Sequence, residues 1–136
     1  RRVSQVWKAA VVAILADEPE AADFLARIAA ARRRETAPHV RLEATINLAR
    51  ILGLPVPAAQ EMYDAFLATA GIGVVSIGDA IGRRAVAAFD TYGKGRGHAA
   101  QLNFADCLSY ACASYYRSPI LFKGRDFTHT DLKSAL

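Results

Sequence analysis

Long apolar runs are missing from this chain. The longest, Ala9 to Ala16, is core-sized and falls far short of the ~18 residues that cross a bilayer, so no membrane-spanning helix is expected. Cysteine is scarce too. Cys107 and Cys112 cannot make a disulfide framework, and five apart in an apolar, helix-like stretch they read as reduced core thiols of a cytosolic protein. The three histidines, His39, His98 and His129, are too scattered for a zinc site. No Gly/Ser linker, low-complexity tract or internal repeat breaks the chain, so residues 1–136 are read as one domain. No signal peptide is evident, although the chain starts Arg1-Arg2-Val3 without methionine. Neither a P-loop nor a dinucleotide-binding glycine pattern occurs. What is there is an ordinary globular composition: 136 residues, 53% hydrophobic, 22% charged, with a mean hydropathy of +0.14. That is enough to bury a core without metal or disulfide staples. The net charge of +4 permits a polyanionic partner without demanding one.

Along the chain, short apolar strands alternate with amphipathic helices. Strands are expected at Val3–Trp7, Ala37–Val40, Gly73–Ile77 and Pro119–Phe122. A buried helix follows at Ala9–Ala16. Asp17-Glu18-Pro19-Glu20 reads as the start of the next, with Ala21, Phe24, Leu25 and Ile28 on one face and Arg32-Arg33-Arg34 closing it against the helix dipole. Further helices are expected over Arg41–Leu52, ended by Gly53, and after Pro55, with Met62, Phe66 and Ala70 in line. Ile81, Ala85, Ala88 and Tyr92 make another stripe, and Phe104, Cys107, Leu108, Ala111, Cys112 and Tyr115 the strongest one. Gly93 to His98 is a flexible basic loop. Such alternation predicts an α/β fold with a parallel sheet, whose ligands bind beyond the carboxyl ends of the strands.

Three acids stand out by their surroundings: Glu43 in Arg41-Leu42-Glu43-Ala44, Asp106 in Asn103-Phe104-Ala105-Asp106-Cys107, and Asp126 in Gly124-Arg125-Asp126-Phe127. Clustered carboxylates suit Mg²⁺ or Mn²⁺, which prefer oxygen ligands. Taken singly, each acid has a bland alternative. Asp106 completes a capping box with Asn103, Asp126 sits in a turn, and Glu43 is a solvated helix residue.

Together, and in this order, the Asn103–Ala111 and Ile120–Phe127 segments resemble the C-terminal half of a PIN-domain ribonuclease of the VapC toxin family. Val12–Ala21 is similar to that family's first helix and turn, Arg41–Ala44 to its acid-bearing helix, and Tyr92–Arg96 to its basic loop. The resemblance implies a three-layer α/β/α PIN-like fold with about five short parallel strands. It also implies an endoribonuclease of structured RNA, for example tRNA, dependent on Mg²⁺ or Mn²⁺. Glu43, Asp106 and Asp126 fall on the family's acidic positions, as metal ligands and catalytic residues, and Lys94, Arg96 and Asn103 would bind substrate. The implied partners are RNA, a VapB-type antitoxin and a second copy in a homodimer; the implied location is the cytoplasm.

One region departs from that pattern. Arg1 to Ala9 fits the family poorly. The family's first acid, at the end of its first strand, falls on Trp7, its small hydroxyl residue on Ala9, and Lys8 stands between them. Indole cannot bind Mg²⁺ as a carboxylate does. Asp17 and Glu18 are poor substitutes, about 15 Å further along a helix rising 1.5 Å per residue. The alternative reading is therefore a catalytically impaired PIN-fold protein that acts by binding antitoxin or RNA.

Overall fold

The computed structural model describes residues 3–117 and 120–121. Ten elements follow in chain order: β1 (Val3–Val6), α1 (Lys8–Leu15), α2 (Ala21–Ala30), β2 (Arg33–Thr36), α3 (Pro38–Leu52), α4 (Val56–Ala70), β3 (Gly73–Val74), α5 (Asp79–Tyr92), α6 (Phe104–Tyr116) and β4 (Ile120–Leu121). The described strands form one four-stranded sheet in the order β3-β2-β1-β4, against an expectation of about five. All its pairings are parallel, with Val3 opposite Arg33, Gln5 opposite Ile120, and Glu35 opposite Gly73. This is the α/β architecture with a parallel sheet that the alternation predicted, and it agrees with the PIN-like fold that the resemblance implied. α1 packs on α2 and α3, α3 on α4, and α5 on α6.

β1 lies inside the sheet, so Val6 and Trp7 at its carboxyl end are buried, with Val11, Phe24, Val40, Leu48, Tyr63 and Leu102 in the same core. The chain runs from β1 outward through β2 to β3, then returns to the other side of β1 for β4. The order therefore reverses at β1, and the crevice beyond its carboxyl end is where a sheet of this kind takes a ligand.

Two boundaries differ from the sequence expectation. The second strand is Arg33–Thr36, and Ala37 is the extended cap of α3, whose first residue is Pro38. Proline presets a helical φ and lacks an N–H that position would leave unpaired, while it holds the residue before it extended. The arginines expected to close α2 thus lie in and before β2. Arg34 still meets the helix end from there: Nε donates to Ala31 O (3.2 Å), Nη2 to Ala29 O (3.2 Å), and Nη1 to Ala70 O of α4 (2.6 Å). Asp17 is no cap: it has a φ of 55°, and Glu20 precedes the first residue of α2. The third strand is cut short at Val74, although Val75 N still donates to Thr36 O (2.8 Å).

Two further expectations hold, at Gly53 and the cysteines, while two apolar stripes are shifted. Gly53 ends α3 at a φ of 65°, a conformation cheap for glycine alone. Cys107 and Cys112 are free and buried. In α4 the fully inward face is Ala59, Tyr63 and Leu67, and the expected Met62, Phe66 and Ala70 lie beside it, half-buried. In α6 the two ends of the predicted stripe, Phe104 and Tyr115, are exposed.

Candidate functional site

One predicted acid, Glu43, stands at the reversal point, and a second, Asp106, lies within electrostatic reach of it. Glu43 lies in the second turn of α3, which enters directly from the end of β2. Its carboxyl is pushed above the usual range, first by burial and further by the negative charge of Asp106, while Lys8 opposes the shift. Asp106 therefore lies within electrostatic reach of Glu43. Lys8 Nζ stands 3.9 Å from Glu43 Oε2, the Lys8 side chain 41% exposed and that of Glu43 24%. Lys8 opens α1 just past β1, so the site draws on α1, α3 and α6 beyond the carboxyl end of β1. Asp126 lies outside the described residues.

Asp106 is fixed by local chemistry. Asn103 Oδ1 accepts from Asp106 N (2.9 Å), and Asp106 Oδ2 accepts from Asn103 N (3.2 Å). This is a reciprocal capping box, with Asp in the third helical position. The bland alternative for Asp106 is thus true as a matter of geometry, and it does not displace the other, because the same box holds the carboxyl at the start of α6, within electrostatic reach of Glu43. It also engages the carbonyl of Asn103's side chain, which the resemblance had assigned to substrate.

Trp7 stands where the strand ends, as predicted. Its residue is 4% exposed and belongs to the core, and its carbonyl accepts from Val11 N (3.1 Å). The basic loop is more ordered than its glycines suggested: Lys94 N donates to Leu102 O and Leu102 N to Tyr92 O, both at 2.8 Å. Arg96 folds back onto α5, 3.0 Å from Asp90 Oδ1 and over the Phe89 ring at 6.0 Å. Lys94 is exposed.

A polar pair that spacing did not reveal joins the same two helices. His39 Nε2 lies 2.7 Å from Ser109 Oγ. Burial pulls the His39 pKa down to about 4, so the ring is neutral at pH 7.

The two carboxylates match a hard divalent cation in donor type, and like charges within reach of each other favour a cation nearby. Among the described residues no group of three His, Cys, Asp or Glu side chains gathers to hold one. The positive charge facing Glu43 is the Lys8 ammonium. The residues therefore fit such an ion in kind, with its charge already partly met.

The PIN-domain family profile matches residues 9–133. VapC ribonuclease Mb0640 of Mycobacterium bovis is 40% identical over 123 residues, covering 90% of this chain and 91% of that protein. The chain is a PIN-domain protein of the VapC family. VapC ribonuclease R02377 of Rhizobium meliloti is 34% identical over 133 residues, covering 90% of this chain and 94% of its own. The same fold occurs in a solved toxin–antitoxin complex from Klebsiella pneumoniae, with a TM-score of 0.70 at 16% identity over 94% of this chain and 92% of that one. Trp7 and Lys8 lie just before the residues that the PIN profile matches. Among the described residues no helix of this VapC-family chain is long and apolar enough to cross a membrane.

Proposed function

We propose that this chain is a VapC-type toxin, a PIN-domain endoribonuclease that cuts structured RNA such as tRNA with the help of Mg²⁺ or Mn²⁺. The observation that carries the reading is Glu43 beyond the carboxyl end of β1 with Asp106 within electrostatic reach, in a chain 40% identical to a named VapC ribonuclease. Glu43, Asp106 and Asp126 would hold the ion. Once bound, it would supply a water-derived hydroxide and offset charge at the scissile phosphate. Lys94 would bind flanking phosphates. Arg96 would contribute only after leaving Asp90, and Asn103 acts chiefly by holding Asp106. The partners proposed are a VapB-type antitoxin near the acidic edge and a second copy of the chain, in the cytoplasm. Phe104, 84% exposed, and Val86, 71% exposed, flank an apolar groove of about 300 Å³ between α5 and α6, where the second copy would sit. A species that stays monomeric at high micromolar concentration in sedimentation would exclude the homodimer.

A second reading is favoured by the first turn of α1. With Trp7 buried at the strand end and Lys8 beside Glu43, the site has lost one acid and gained a cation, so the protein would bind antitoxin or RNA and cut poorly. The two readings separate on bulk tRNA incubated with Mn²⁺, with and without EDTA. EDTA-sensitive fragments establish the first. RNA retained intact on the protein, with no Mn²⁺ uptake in calorimetry, establishes the second.

A further inference from the structure

His39 and Ser109 are placed to set the geometry of the carboxylate pair. His39 precedes Glu43 by four residues in α3, and Ser109 follows Asp106 by three in α6. At 1.5 Å rise per residue these offsets are about 6 Å and about 4.5 Å, roughly one helical turn each. Residues three or four apart share a helix face. His39, early in α3, meets Ser109, later in α6, and Glu43, later in α3, lies within electrostatic reach of Asp106, early in α6. The two helices are thus joined by a neutral hydrogen bond at 2.7 Å, and about a turn away each carries one of the two acids. Elsewhere α3 packs on α1 and α4, and α6 on α5, so α3 and α6 themselves touch only sparsely. Ser109 is 4% exposed, which keeps substrate from its hydroxyl and rules it out as a nucleophile.

We infer that the His39–Ser109 hydrogen bond is a positioning device that fixes the axial register of α3 against α6, and with it the separation of Glu43 and Asp106. Repulsion between two carboxylates would slide the helices apart, and a directional bond a turn away opposes that slide where apolar packing, being non-directional, does not. Misplacing reacting groups by about 1 Å costs on the order of 10²-fold in rate. The inference rests on the ribonuclease reading for its consequence, though not for its geometry.

The test uses the full chain and three variants: Ser109→Ala, His39→Leu, and His39→Gln, whose amide nitrogen replaces Nε2. Nitroxides at exposed positions, Ile46→Cys on α3 and Phe104→Cys on α6, report the separation of the helices by EPR. Expected is a broadened or shifted distance distribution in Ser109→Ala and His39→Leu, restored in His39→Gln. In tRNA cleavage, kcat should fall about 10- to 100-fold in the first two and recover in the third, with KM within about twofold. An unchanged distance distribution in Ser109→Ala overturns the inference, and so does unchanged kcat in a cleaving parent. Should the parent neither cleave nor take up Mn²⁺, the ribonuclease reading fails, and the EPR distances still decide the register. If His39→Leu unfolds, Ser109→Ala, which removes a single oxygen, decides alone.

Discussion

The candidate site has two walls of opposite character. On the α6 wall a short polar motif does two jobs at once, as Asn103 and Asp106 cap the helix and present a carboxylate. On the β1 wall the residues serve the core or cancel charge: the Trp7 indole packs inward and the Lys8 ammonium faces Glu43. A carboxylate cluster is thus assembled from one side and neutralised from the other. Belonging to a nuclease family fixes the frame of such a site, while its charge balance is decided by a few residues at one strand end.

The comparison breaks most sharply at Trp7. If the indole is a core residue, Trp7→Ala should cost about 3–5 kcal/mol in urea unfolding, and a loss below about 1 kcal/mol would mean that the ring belongs to the cleft. Trp7→Asp then restores a family-like acid only at a comparable cost in stability. Next in size is the pH response of the His39–Ser109 bond. The His39 pKa is about 4 in the fold against 6.5 in the unfolded chain. The unfolded state therefore binds the extra proton between those values. Stability should be level above about pH 6.5 and fall by about 1–3 kcal/mol as the pH drops from 6.5 to 4; His39→Gln should flatten that part of a thermal-melt profile.

On the α6 wall, Asp106→Asn keeps a capping acceptor and removes the charge. It should leave stability within about 0.5 kcal/mol while lowering Mn²⁺ affinity about 10- to 100-fold in calorimetry. Asp126→Asn should lower it less. The smallest effect is at Lys8. Removing an ammonium from a half-exposed site is worth about 1 kcal/mol to an incoming cation. Lys8→Gln should therefore raise Mn²⁺ affinity about fivefold, and an unchanged affinity would show that the ammonium does not compete.

Most helices were legible from the sequence because their apolar positions recur every three or four residues and because Gly53 and the Asn103–Asp106 pair mark ends with a local mechanism. β2 was misplaced because three consecutive arginines look like a helix terminus. Their sense emerges only in three dimensions, where Arg34 in the strand reaches the carbonyl ends of α2 and α4 at once. Glu43 and Asp106 were picked out by context, and their nearness depends on the sheet order, which no local pattern states. In the sequence Lys8 is only a neighbour of Trp7; its pairing with Glu43 depends on how α1 leaves β1. His39 carries no local signal, because its bond to Ser109 spans 70 residues and leaves no trace in spacing.

The capping box has a consequence for how such a chain would drift. The cap as a whole, most of it Asn103's, is worth about 0.5–2 kcal/mol, and Asp106 supplies its return bond to Asn103 N. A descendant that no longer cut RNA would still pay in foldedness for losing Asp106, whereas Glu43 has no such second employer on α3. Purifying pressure would then hold the two acids unequally, and a lineage abandoning catalysis would shed Glu43 first and keep Asp106 as a relic of architecture.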